Sequence, residues 1–267
     1  MSIEISWVTQ KMENWAPVEA AEKWDNVGLL IGDAEASVSK ILVALDASEA
    51  VVREAAEGRY DLLITHHPLI FNPINRVTRQ DSVGKRVITL IENNIHLYAA
   101  HTNLDMAEGG TSDLLFEKLG LLEKNFLLEP IDTPPFALGR VGTLPIEMTL
   151  LEFCDYVKKR LSLKTLRFAG NPGAKIKKAA LCAGDASSLR YCREAVNKQC
   201  DVYITGDLRY HDAQDALAMG LNLIDATHYA SEEPITSAIV TYLKKQAAGL
   251  SLIIEASKTD GQVFIDK

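Results

Sequence analysis

The sequence is poor in the features that mark several large classes of protein. Its four cysteines, Cys154, Cys182, Cys192 and Cys200, form no CxxC pair. That excludes a zinc ribbon and a thioredoxin-type motif. A disulfide framework is not expected in a chain long enough to build its own core, so buried reduced thiols are. No run of ~18 apolar residues occurs, so no membrane-spanning helix is expected. The opening residues, Met1 to Ser6, lack the charged and apolar regions of a signal peptide. A cytoplasmic protein without a membrane partner is therefore expected. Basic residues are also in the minority. Lys and Arg number 28 against 36 Asp and Glu, which gives a net charge of −8. The broad basic footprint of a duplex-binding protein is absent, and a nucleic-acid partner is disfavoured. There is no GxxxxGK[ST], no GxGxxG and no GxSxG. A P-loop, a dinucleotide fingerprint and a serine-hydrolase elbow are excluded with them.

What is present is an alternation of strand-like and helix-like segments over 267 residues with 47% hydrophobic content. Ile41 to Asp46, Asp61 to Thr65 and Ile95 to Ala100 read as buried strands. Between them Ser48 to Arg59, capped by Ser48, and Ser82 to Asn94 read as helices, and Gly110 to Gly120 as another. The rhythm returns further on. Strands are predicted at Ala179 to Cys182, Val202 to Thr205, Leu223 to Ala226 and Leu252 to Glu255. Helices are predicted at Thr149 to Leu161, Ser187 to Lys198, Asp212 to Met219 and Glu233 to Ala248. Such alternation predicts α/β crossovers and a largely parallel sheet. The stretch Leu127 to Pro145, punctuated by Pro130, Pro134, Pro135 and Pro145, reads as the connection between two lobes, residues 1–128 and 129–267.

The two lobes repeat one another. Lys40 to His67 can be laid on Lys178 to Asp207, so that Asp46-Ala-Ser meets Asp185-Ala-Ser and Asp61-Leu-Leu-Ile-Thr meets Asp201-Val-Tyr-Ile-Thr. Ile95 to Asp105 likewise meets Asn222 to Glu232. Matching motifs in one order point to two similar α/β lobes related by internal duplication.

The histidines follow the same plan. Of six in the chain, His66 and His67 end one strand, and His101 and His228 follow two others. Ligands in open α/β sheets bind outside the carboxyl ends of strands. His101 and Asp105 are four apart, and so are His228 and Glu232. A duplicated fold would assemble these imidazoles and carboxylates into one metal site between the lobes. Imidazole with carboxylate suits zinc, manganese, iron or nickel, and two such ions can share ligands. Asp207 occupies the place of the paired histidines in the second lobe, where it either caps a helix or serves the cleft. Tyr210 and His211, just beyond it, are candidates for a hydrogen-bonding wall or a general acid. His96, inside a strand, reads as structural. Lys158, Lys159 and Arg160, with Lys175, Lys177 and Lys178, read as solvated helix and loop residues.

Five ordered motifs carry a family resemblance: Trp24 to Asp33 (WDNVGLLIGD), Leu62 to Phe71 (LLITHHPLIF), His101 to Asp105 (HTNLD), Gly206 to Ala213 (GDLRYHDA) and Thr227 to Glu232 (THYASE). Together they resemble the Nif-three-like family, whose bacterial members are often labelled GTP cyclohydrolase I type 2 homologues. The likeness runs over nearly the whole chain, and the chain resembles the short form, which lacks an extra domain between the halves. It implies a two-lobed α/β fold, a dinuclear metal centre and a toroidal homohexamer. By motif, the implied ligands of two divalent ions are His66, His67, Asp105, His228 and Glu232. His101 would be adjacent, either behind the ligands or facing the substrate, and with Tyr210 and His211, named above from their position, it completes the catalytic candidates. Two functions fit. One is a metal-dependent hydrolase acting on a small molecule, such as a purine nucleotide or another C–N or phosphoester bond. The other is a non-catalytic metal-binding or interaction module serving delivery or assembly.

Overall fold

The computed structural model describes residues 3–129, 136–259 and 261–265. Pro130, Pro134 and Pro135 of the expected connection lie outside the described residues. The first stretch runs β1 (Ile3–Glu4), α1 (Ile5–Trp15), β2 (Gly28–Ile31), β3 (Ser37–Val38), β4 (Lys40–Ala44), α2 (Glu49–Glu57), β5 (Leu62–Thr65), α3 (Ser82–Glu92), β6 (His96–Ala99) and α4 (Thr102–Met106). The second runs α5 (Thr111–Leu119), β7 (Leu122–Phe126), β8 (Arg140–Thr149), α6 (Leu150–Arg160), β9 (Arg167–Ala169), β10 (Lys175–Leu181), α7 (Leu189–Asn197), β11 (Val202–Thr205), α8 (Tyr210–Ala218), β12 (Asn222–Asp225) and α9 (His228–Glu232). The chain closes with α10 (Pro234–Gln246) and β13 (Ile253–Ala256). The protein is mixed α/β, as the alternation predicts.

The chain divides into two units, but not at 128/129. One unit contains the residues up to Leu104 together with Ile235–Gln262; the other contains Asp105–Pro234 and the residues from Val263. Strand pairing explains the difference. The strand β7, placed in the first lobe by sequence, is antiparallel to β8 in the second sheet. The strand β13, placed in the second lobe, runs parallel to β4 in the first. Proline punctuation misled at Pro145, which lies inside β8 rather than in a linker. There β8 passes its partner β10 with a register shift, Ile176 facing Met148 and Lys178 facing Thr143. Pro145 falls in the skipped segment, where no ladder N–H is required of it.

The first unit holds a five-stranded sheet, β13-β4-β5-β6-β2, in which β4, β5 and β6 are parallel and β2 is antiparallel. The second holds a six-stranded sheet, β7-β8-β10-β11-β12-β9, in which β10, β11 and β12 are parallel and β9 is antiparallel. The three parallel strands are apolar on both faces because helices cover both. Ile41, Leu62, Leu63, Ile64, Leu97, Ala179, Val202, Ile204 and Leu223 are fully buried. Ser48 caps α2 by accepting the Val51 N–H at 3.2 Å, and Thr149 with Glu152 forms a capping box on α6.

The repeat is visible in individual hydrogen bonds. Asp61 accepts the N–H groups of Ser39 and Lys40, at 2.8 and 2.9 Å. Asp201 accepts those of Lys177 and Lys178, both at 2.8 Å. Lys40 donates Nζ to the Gly58 carbonyl at 2.9 Å, and Lys178 to the Lys198 carbonyl at 2.6 Å. Each aspartate and lysine thus ties the start of a parallel strand to its neighbour. All four cysteines are buried and free. Burial pushes the Cys182 thiol up to about 12, with Asp105 adding to the rise. No described helix is long and apolar enough to cross a membrane.

Candidate metal centre

In the first unit His66 and His67 leave the carboxyl end of β5, and His101 leaves β6, its neighbour in the sheet. Backbone pairing continues past β5, His66 N–H to Ala44 and His67 N–H to Leu45, so the paired histidines are held in line with β4. The three rings converge. Their centroids lie 4.9 Å (His66 to His67), 5.2 Å (His66 to His101) and 5.4 Å (His67 to His101) apart. One ring nitrogen from each lies within 4.8 Å of the others, a spacing at which one metal ion can be shared.

Each ring is anchored at Nδ1. His66 Nδ1 lies 2.8 Å from the Ala100 carbonyl. His67 Nδ1 lies 2.9 Å from Asp46, and His101 Nδ1 lies 2.9 Å from Asp25. An acceptor on Nδ1 fixes the tautomer and directs Nε2, which is how metal-ligating imidazoles are oriented. Asp25 is itself held: Thr102 donates both its N–H, at 3.0 Å, and its hydroxyl, at 2.5 Å. Burial works to raise the Asp25 carboxyl, but hydrogen bonds from His101 and Thr102 and the attraction of the imidazole outweigh it and hold it at about 2. The pairing needs a carboxylate that stays ionised, and this environment provides one. His96 stands apart, its Nδ1 accepting the Asp33 N–H at 3.0 Å.

The second unit repeats this chemistry at β12. His228 opens α9 and Glu232 ends it, one turn away, and the two side chains meet at 3.1 Å between Nε2 and Oε2. His228 Nδ1 is 2.8 Å from Asp207. The helix-cap reading of Asp207 is thereby overturned. The residue before α8 is Arg209, which makes no side-chain cap, while Asp207 has turned to φ +50° and serves His228. Thr227, also at positive φ, accepts the Ala230 N–H and starts α9 from a backbone conformation β-branched residues avoid. Such a strained residue persists where surrounding contacts over-determine it.

Two glycines make room. A Cβ on Gly184 would sit 2.1 Å from Glu232 Oε1, and its φ is +69°. A Cβ on Gly206 would sit 2.7 Å from the His228 backbone nitrogen. Gly184 N–H donates to Ser231 Oγ at 3.0 Å, and that hydroxyl donates to the His228 carbonyl at 2.8 Å. Asp105, on α4, is buried and accepts a hydrogen bond from Thr111. Of the residues that sequence spacing singles out, the first unit gathers His66, His67 and His101 and the second pairs His228 with Glu232 and buries Asp105. Sequence reasoning missed Asp25 and Asp46 as anchors of these rings and left Asp207 between a helix cap and the cleft. Asp46 and Asp207 each follow a strand and precede by 21 residues the histidine they serve, which follows the neighbouring parallel strand, a shared spacing that could have found them; Asp25 lies within a loop, 76 residues from His101.

Tyr210 and His211 open α8. Their rings lie edge to face at 5.4 Å, and both approach Gln214, at 3.4 and 3.3 Å, on the exposed start of α8. The basic residues also have local partners, Lys158 with Asp155 and Arg160 with the Lys118 carbonyl.

Residues 3–261 match the family model described as Duf34/NIF3, NGG1p interacting factor 3. A protein named GTP cyclohydrolase 1 type 2 homolog from Clostridium perfringens is 39% identical over 257 residues, covering 95% of this chain and 97% of its own. A protein of the same name from Clostridium acetobutylicum is 37% identical, covering 93% and 91%. A crystal structure of a Bacillus cereus protein related to NIF3 matches the whole of both chains with a TM-score of 0.94 at 27% identity.

Proposed function

The chain belongs to the Duf34/NIF3 family, and on that footing we propose that it is a metal-dependent hydrolase with a dinuclear centre. The observation that carries the reading is the set of imidazoles held by carboxylates: His67 by Asp46, His101 by Asp25 and His228 by Asp207. Three such pairs at strand ends are the ordinary architecture of metal ligation and an uncommon one for surface histidines. The proposed ligands are His66, His67, Asp105, His228 and Glu232, with His101 joining the first half-site and facing the substrate. A donor set of imidazole and carboxylate without thiolate favours an open, exchangeable site over a closed structural one. Divalent ions held there would supply Lewis acidity, lowering the pKa of water and polarising the bond under attack.

The substrate is proposed to be a small molecule with a hydrolysable C–N or phosphoester bond. The names of the relatives point to a purine nucleotide. Asp25, Asp46 and Asp207 fix how each ring is turned and direct its Nε2 outward, and Tyr210 and His211 are proposed to face the substrate. The test is turnover of GTP and a panel of nucleotides and phosphoesters, with and without added manganese or zinc. Hydrolysis should be chelator-sensitive and vanish in Asp105→Ala, whereas Tyr210→Phe and His211→Ala should alter turnover and leave metal content unchanged. Imidazoles ligate only as neutral rings, so activity should fall as pH drops through the ordinary imidazole range near ~6.5. Metal-loaded protein that turns over nothing at any pH across the panel would establish the second reading, a metal-binding or delivery module.

A cytoplasmic homohexamer is proposed with it, from the family resemblance. Light scattering at micromolar concentration should give six chains per particle, and a monomer there would overturn the assembly.

A further inference from the structure

Two aromatic side chains at the first half-site take no part in the metal chemistry. Trp24 is 58% exposed and Phe71 is 46% exposed. Single exposed apolar residues are ordinary. These two are a pair, with ring centroids 5.7 Å apart and planes inclined at 54°. Both also stand edge-on to the His101 imidazole, at 6.1 Å for Trp24 and 6.3 Å for Phe71. They are neither stacked on one another nor packed into the core, so aromatic surface stays open beside the histidine cluster.

The pair is braced from below. Trp24 directly precedes Asp25, whose carboxylate is fixed by His101 and Thr102. Asn26 Nδ2 donates to the Ile70 carbonyl at 2.5 Å, one residue from Phe71. The loop after α1 and the loop after β5 are thereby clasped together, and the rings at their tips take their spacing from the same contacts that orient His101. An open pair of inclined rings suits a flat ligand, because every heteroaromatic ring offers a π-face and gains stacking energy largely regardless of its substituents.

We infer that Trp24 and Phe71 form a seat for the planar heteroaromatic ring of the substrate and present that ring to the edge of His101. The inference deepens the hydrolase reading and rests on it for the word substrate. Ring binding itself can be measured without turnover. Calorimetric titrations of guanosine, GTP and inorganic triphosphate into metal-loaded and chelated protein separate the ring from its anionic substituent. Guanosine and GTP should bind, and triphosphate should not displace guanosine. Trp24→Ala and Phe71→Ala should each weaken guanosine about tenfold, Trp24→Phe should restore most of the loss, and metal content should be unchanged in all three. Both side chains are exposed, so folding should survive, and circular dichroism verifies it. The inference is overturned by guanosine binding that neither variant alters, or by no binding of guanosine to the wild type at millimolar concentration. It is also overturned if the variants change the number of chains per particle while guanosine binds as before, because the rings then serve a second copy of the chain. Loss of the hydrolase reading would show instead in the metal and turnover measurements, with the titrations of the chelated protein unaffected.

Discussion

Replacing Arg140 by Met should destabilise the second unit by about 3–5 kcal/mol, the usual consequence of stranding one charge of a buried pair. Arg140 and Asp113 are each 1% exposed and hydrogen-bonded to one another. Arg140 also donates to the Ala137 and Gly139 carbonyls, at 2.6 and 3.0 Å, and lies over the Phe126 ring at 5.0 Å. Asp113 accepts the Gly109 N–H at 2.7 Å and Lys124 Nζ at 3.0 Å. Methionine preserves much of the stem's packing and leaves the Asp113 carboxylate without its main counter-charge. The double variant Arg140→Met, Asp113→Asn should recover part of the loss, because no buried charge remains. Urea unfolding midpoints measure both, and a cost below 1 kcal/mol for the single variant would contradict the argument. Acid should act through the same pair. Burial pushes the Asp113 carboxyl up, but Arg140, the Gly109 N–H and Lys124 bring it below its ordinary value. A lowered folded pKa means stability that is fully present above the unfolded value, near ~3.9, and lost as pH falls through the folded one. Wild-type midpoints should therefore fall below about pH 4, and those of the double variant should fall less.

Metal loading should approach two divalent ions per chain. Elemental analysis after equilibration with manganese or zinc and desalting reads it directly. His66→Ala and Glu232→Ala remove one proposed ligand from each half-site, and each should lower the stoichiometry. Asp25→Asn, Asp46→Asn and Asp207→Asn keep every ligand but weaken the grip on one imidazole each. Loss of an outer hydrogen-bonding partner typically costs 10–100-fold in affinity, so these variants should load fully only at higher free metal. Full occupancy in both alanine variants would remove the ligand assignment. Reduced occupancy there, with unchanged affinity in all three asparagine variants, would remove the orienting role of the carboxylates.

Much of the fold was legible because the parallel strands are short apolar runs bounded by turn residues. The runs at β4, β5, β6, β11 and β12 stand out for that reason, and the helices between them carry recognisable stripes and caps. Peripheral elements were less visible. The helix α1 begins at Glu4 without a side-chain cap, and β7 is a mostly polar edge strand, LEKNF. Neither has a strong local signal; long-range pairing and packing place them. The boundaries of the two units are hidden in the sequence for a related reason. A β-strand carries no mark of the sheet it will join, so β13 and β7 could not be assigned before their partners were seen. The site was read from strand-end placement and four-residue spacing, both local properties. Asp25 lies in a loop 76 residues from His101, so no local spacing finds it, whereas Asp46 and Asp207 share a 21-residue spacing to their histidines that shows only once neighbouring strand ends are compared.

The pairing of β13 with β4 has a consequence for the order in which the protein is made. Ile253 lies beside Lys40 and Ala256 beside Val43, and Glu255 accepts the Tyr60 hydroxyl at 2.7 Å. Glu54 on α2 receives the Ser257 hydroxyl, at 2.5 Å, and the Lys258 N–H, at 2.9 Å. The sheet that begins with β4 thus waits for a strand made long after its other strands. That sheet lacks an edge until β13 has been made, whereas Asp105–Pro234 is a continuous segment whose strands follow one another closely. During synthesis the outer side of β4 is an uncovered apolar strand edge, the kind of surface that draws in strands from other nascent chains. A messenger that stops shortly before Ile253 would leave that edge open permanently, while every residue of both half-sites was already present.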